Sequence, residues 1–192
     1  MVYQDKKILV YQNYFRRFHP LLRETAPSEN AMTYTTRTTL GLAVCASLIA
    51  LPLWAGATLA EIDTCIETAA TNGTVPTACV ELAHSECVEF PQDMGASAAL
   101  CFTQAKDMWS EGISARMAQV NASAPPEIAA IAGIEVKYDL LSALVQCDRM
   151  EELNQLREGV TSEDVLRQKT ACTSTASGLA YTKLTWRARQ LP

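Results

Sequence analysis

Signatures of chemistry are what this sequence lacks. It has two histidines, and only His84 falls in the part read below as the folded domain. No two cysteines stand as Cys-x-x-Cys, which leaves out a thioredoxin-type pair, a zinc knuckle and haem attachment. There is no glycine-rich phosphate loop and no Gly-x-Ser-x-Gly elbow. The expectation is a protein with no catalytic site, no metal and no cofactor. No run alternates with period 2, so strands are not expected either. The main apolar run, residues 40–54, is 15 residues long, short of the about 20 that a membrane helix needs.

That run, LGLAVCASLIALPLW, follows a short, positively charged start at residues 33–37. Small residues come after it, in Ala55-Gly56-Ala57 and Thr58-Leu59-Ala60. This is the order of a secretory signal peptide. Residues 32–60 are read as that peptide, with cleavage after Ala60 preferred to cleavage after Ala57 and an uncleaved anchor as the alternative. Residues 1–31 do not resemble the start of a signal peptide, whereas Met32 stands where one should begin. They are read as a mis-called upstream extension or a disordered segment. Cys45 leaves with the apolar run, and Val44 before it is not the small residue that a lipoprotein site needs. The domain is then residues 61–192, periplasmic or secreted, touching the membrane only through its signal peptide.

This 132-residue domain keeps six of the seven cysteines. An even count in a small exported chain points to three disulfides among Cys65, Cys79, Cys87, Cys101, Cys147 and Cys172. The first four are separated by 14, 8 and 14 residues, and each long gap holds a turn signal. Six cysteines allow 15 pairings. Sequential pairing is preferred because each loop then encloses one turn. A core of this size is marginal without such staples.

The expected fold is all-α, a small disulfide-stapled bundle of about five helices. A first helix covers residues 61–70, burying Ile62, Cys65, Ile66 and Ala69, and Asn72-Gly73 stops it. A second starts at Pro76 or Thr77, carries Cys79, Leu82, Ala83 and Cys87 on its inner face, and breaks at Pro91 and Gly95. A third, residues 97–120, has a stripe of Phe102, Ala105, Trp109, Ile113, Met117 and Val120. Pro125 and Pro126 interrupt the chain within a linker at residues 121–126. The fourth, residues 127–157, is the most regular: Ile131, Ile134, Tyr138, Leu141 and Val145 step by 3, 4, 3 and 4, and are assigned to the core. Gly159 ends it. Thr161 caps a last helix running toward Arg189, with an interruption allowed at residues 174–178.

The first 60 residues hold three of the 21 acids and six of the 16 bases, so the domain carries 18 against 10, a net −8. That balance argues against nucleic acid and favours a basic partner. His84 reads as a surface or partly buried residue, and the acid pairs Glu86/Glu89 and Glu151/Glu152 as solvated helix faces. The candidates for partner contact are the turn with Asn72 and Gly73, the turn with Phe90 and Pro91, and the linker at residues 122–126.

The pattern CIETAA…ACVELAHSECVE…ALC followed by Cys147 and Cys172 resembles the lysozyme inhibitor LprI-like proteins of bacterial envelopes, over about residues 65–189. The resemblance implies an exported, cysteine-stapled helical protein, with a basic cell-wall hydrolase such as lysozyme as the partner. The alternative is a non-inhibitory structural or adaptor protein of the envelope. The positions where that family carries Trp, Tyr, Arg and Asp hold Asp139, Ser142, Ala143 and Leu144 here. Downstream, Leu184 keeps the family residue, whereas Ser177 and Ala180 do not.

Overall fold

The computed structural model describes residues 56–191. The readings for residues 1–31, and for the signal-peptide segment through its apolar run and Cys45, lie outside the described residues. Five α-helices follow in order: α1 (Leu59–Thr71), α2 (Cys79–Glu89), α3 (Gly95–Ser123), α4 (Pro126–Gln155) and α5 (Ser162–Ala188). Short 3-10 turns at Pro76–Ala78 and Gln92–Met94 lead into α2 and α3. Among the described residues there is no strand, and no helix is long and apolar enough to cross a membrane.

The helix ends follow local chemistry. Thr58 accepts a hydrogen bond from the Glu61 backbone N–H at 3.3 Å, while Glu61 Oε2 accepts one from the Thr58 N–H at 2.7 Å. This capping box satisfies donors that the first helical turn leaves unpaired. Thr161 and Asp164 repeat the device at the start of α5. The Glu61 carboxyl accepts from both the Thr58 backbone N–H and, at 2.9 Å, the Thr58 hydroxyl, and these bonds hold it below its ordinary range. At the far end of α1, Gly73 adopts a φ of 67°. Its N–H bonds to Ala70 O, and the Thr74 N–H bonds to Ala69 O. This Schellman closure needs the left-handed conformation that glycine adopts without penalty. Helix α1 begins before the preferred cleavage point. Cleavage after Ala60 removes the Thr58 cap and Leu59, which packs against the core, whereas cleavage after Ala57 retains both.

Helices α3 and α5 form the most extensive pair, and α1, α2 and α4 are laid around them. The expected stripe on α3 is in place: Phe102, Ala105, Trp109, Ile113 and Val120 are buried and Met117 is half-buried. Helix α5 runs without a break through residues 174–178, so the allowed interruption is absent. Ser174, Ala176, Ser177 and Gly178 are buried there, and the absence of a side chain at Gly178 lets α5 lie close against Trp109. A Cβ on Gly178 would come within 2.7 Å of Val80 Cγ1 and 2.9 Å of Trp109 Cε2. On α2, Cys79, Ala83 and Cys87 face inward as expected, but Leu82 is exposed and Val80 and His84 take the remaining buried places.

The assignment of the α4 stripe to the core is wrong. Ile131, Ile134, Tyr138 and Val145 are exposed, and Leu141 is only half-buried. Helix α4 is apolar on two opposite faces. The face with the smaller residues, including Ala129, Ala132, Val136 and Cys147, packs inward. Small side chains bring helix axes closer together, and the edges of this seam are then within reach of charged side chains. Lys183 binds Asp139 at 2.5 Å, Lys169 binds Glu151 at 2.9 Å and also Asp148, and Arg187 binds Glu135. Glu151 is thus part of the α4–α5 seam and not simply a solvated acid.

The sequential cysteine pairing is the one found: Cys65–Cys79, Cys87–Cys101 and Cys147–Cys172, with Cα atoms 5.8, 5.5 and 5.7 Å apart. The first two clamp the turns between α1 and α2 and between α2 and α3, and the third bolts α4 to α5. In chain-entropy terms a loop of about 15 residues is stabilised by roughly 3 kcal/mol, against a net domain stability of roughly 5–15 kcal/mol. Reduction is therefore expected to lower the melting temperature more than any single core substitution. Thermal denaturation followed by circular dichroism, with and without reductant, checks this; an unchanged transition would contradict it.

Candidate functional site

Of the residues singled out for partner contact, Asn72 and Gly73 sit at the C-terminal end of α1 and Phe90 and Pro91 at the C-terminal end of α2. The structure does not bring them together. The 11 residues of α2 separate the two turns, about 16 Å of helix at 1.5 Å per residue. Asn72 and Gly73 are exposed, and their geometry serves to close α1. The linker is shorter than expected, since α3 continues to Ser123 and only Ala124 and Pro125 join it to α4.

The turn after α2 is built differently. Phe90 is half-buried, whereas Glu89, Pro91, Asp93 and Met94 are exposed. The Arg167 guanidinium, from the first half of α5, donates to the carbonyls of Val88, Phe90 and Pro91 at 3.3, 3.0 and 3.2 Å. A helix C-terminus leaves carbonyls unpaired and carries partial negative charge, so a guanidinium fork is well matched to it. The Cys87–Cys101 bridge ties the two flanks of the same turn. Helix α3 then starts at Gly95, where a Cβ would meet the Glu163 side chain at 3.0 Å. The result is a turn held from beneath and from both sides, with two carboxylates facing solvent. Sequence reasoning found the turn but missed Arg167, which lies 76 to 79 positions away in the chain.

His84 also falls outside its expected place. It is 7% exposed and shares a hydrogen bond of 2.8 Å with Ser174, which is fully buried at 0%. The Phe102 ring meets the imidazole edge-on at 5.3 Å. A serine and a histidine at this distance have the elements of a nucleophile and base, but this serine has no solvent-facing surface. The arrangement instead satisfies two buried polar groups where α2 crosses α5. Burial pushes the imidazole pKa below its ordinary 6.5.

A third cluster joins α1, α3 and α5. Asp63 accepts hydrogen bonds from the Tyr181 hydroxyl at 2.6 Å and from Arg116 at 2.9 Å. It lines a polar cleft of about 360 Å³ that Glu67 and Arg189 also border. Burial, and then the hydrogen bond to Asp63, raise the Tyr181 pKa above its ordinary value. An apolar cleft of about 320 Å³ lies between α4 and α5, beneath the Glu135–Arg187 and Asp139–Lys183 pairs. Among the described residues no three His, Cys, Asp or Glu side chains converge to hold a metal ion.

The chain matches no family model, and none of the curated proteins or solved structures is significantly similar to it. The likeness in cysteine spacing therefore stands on the residues quoted for it.

Two outcomes follow from this geometry. Arg167→Ala is expected to lower stability by about 1–2 kcal/mol, the worth of a few partly exposed hydrogen bonds from a charged group, and to speed amide exchange at residues 90–95. Exchange that does not change there would show that the arginine is not what holds the turn. For His84 the folded pKa lies below the unfolded one, so the unfolded chain binds the proton more tightly. Its contribution to stability is whole above pH 6.5 and is lost as the pH falls from there toward the lowered folded value. Melting temperatures measured against pH should show this loss in the native protein and not in His84→Gln.

Proposed function

We propose that this chain is an exported binding protein that acts through the turn at residues 90–95, and that its partner is a basic cell-wall hydrolase such as lysozyme. The observation that carries the reading is the pre-set turn: Arg167 and the Cys87–Cys101 bridge hold it while Glu89 and Asp93 project outward. A turn already in its bound shape loses little conformational entropy on docking. The net −8 of the domain speeds encounter with a cationic enzyme. Inhibition would be steric, with the turn covering the substrate cleft. Three disulfides suit an oxidising compartment, and the signal-like segment at residues 32–60 favours the periplasm or the exterior as that compartment. Binding is favoured over catalysis because the lone histidine of the domain is buried against Ser174.

A second reading, a non-inhibitory adaptor or structural protein of the envelope, is favoured by the exposed apolar run on α4. Clearing of a cell-wall suspension by lysozyme, with and without the oxidised protein, separates the two. Inhibition that weakens as salt rises, and that is reduced in Glu89→Lys/Asp93→Lys, supports the first reading. No inhibition at large molar excess and low salt rejects it.

A further inference from the structure

The outer face of α4 has the pattern of a helix that meets another helix. Ile131, Ile134, Tyr138, Leu141 and Val145 step by 3, 4, 3 and 4, the spacing of a coiled-coil seam. Yet Ile131, Ile134 and Tyr138 are 54, 55 and 62% exposed. The opposite face of the same helix is already in use against α5 and bolted there by Cys147–Cys172. The nearest charges in line with the stripe at its two ends are of opposite sign, with Glu152 and the exposed Leu156 lying beyond Arg149. Glu127 stands four residues before Ile131, and Arg149 four residues after Val145, so each lies in line with the apolar residues.

That polarity decides what fits the face. A second copy laid parallel would set Glu127 on Glu127 and Arg149 on Arg149. Laid antiparallel, about a two-fold axis near Tyr138, it sets Glu127 of each copy toward the partner's Arg149, twice over. Around that axis Ile131 lies toward the partner's Val145, and Ile134 toward the partner's Leu141. The face is self-complementary in charge and in apolar contact, as an isologous interface requires. We propose that α4 pairs with α4 of a second copy of this chain in an antiparallel two-fold dimer. From Glu127 to Arg149 the contact runs about 33 Å. One helix wide, it falls at the small end of specific interfaces, below the roughly 800 Å² per partner of a standard one. Such a dimer is expected to have a Kd of about micromolar. The turn at residues 90–95 belongs to α2 and α3, so the dimer and the hydrolase reading stand or fall separately.

Sedimentation equilibrium of the oxidised protein, as purified from the cells that express it, tests this over a dilution series. A reversible monomer–dimer equilibrium is expected. Ile134→Asp, at an exposed site where folding should survive, should raise the Kd by at least about thirtyfold. Glu127→Arg and Arg149→Glu should each weaken the dimer about fivefold or more, and the two together should restore it. Melting curves confirm that every variant is folded. A protein that stays monomeric at all concentrations overturns the proposal, including the case in which residues 40–54 of the same chain cover the stripe. A dimer that Ile134→Asp leaves intact, or one that the double exchange fails to recover, overturns it as well.

Discussion

The close approach of α3 and α5 around Trp109 is the constraint on which the rest of this molecule depends. Trp109 is fully buried, and its ring has room only because residue 178 has no side chain to oppose it. Gly112 works the same way from the other helix, with Tyr181 and Leu59 closing over it. Close approach multiplies short-range contacts that are individually weak and makes a narrow double spine. Helices α1 and α2 can then lie across one side of it and α4 along the other.

What is mounted on the spine is held by directional bonds as well as by buried apolar side chains such as Ile62, Ile66 and Val80. Each disulfide joins neighbouring helices or the flanks of one turn. Asp63 bridges α1 to Tyr181 and Arg116, His84 bridges α2 to Ser174, and Arg167 bridges α5 to the end of α2. A small domain has little interior, so cross-links and satisfied polar pairs bear much of what a larger core would otherwise supply. The same economy of structure produces the candidate contact turn. A loop pinned by a bridge and a guanidinium is rigid without being buried, which leaves its carboxylates free to meet a partner.

Helix α4 is where pattern and packing parted. Its large apolar residues recur so regularly that periodicity assigns them to the core, yet the residues that pack are the smaller ones on the reverse face. Periodicity tells which side chains share a face; it carries no information on which face meets the rest of the chain. Narrow seams select small residues, so the side with less apolar volume was covered. The bulky side was left outward.

The local signals of this chain were legible without coordinates. Five helices, the Thr161 cap, the closure at Gly73 and the stripe on α3 follow from interactions within a few residues, and the cysteine spacing set each bridge around a single turn. Tertiary structure alone decided the burial of His84, the role of Arg167, the unbroken run of α5 through residues 174–178 and the outward face of α4. Each of these depends on a contact between residues far apart in sequence, or on the space between two helices. Neither the identity of one residue nor the spacing of its neighbours encodes such a distance.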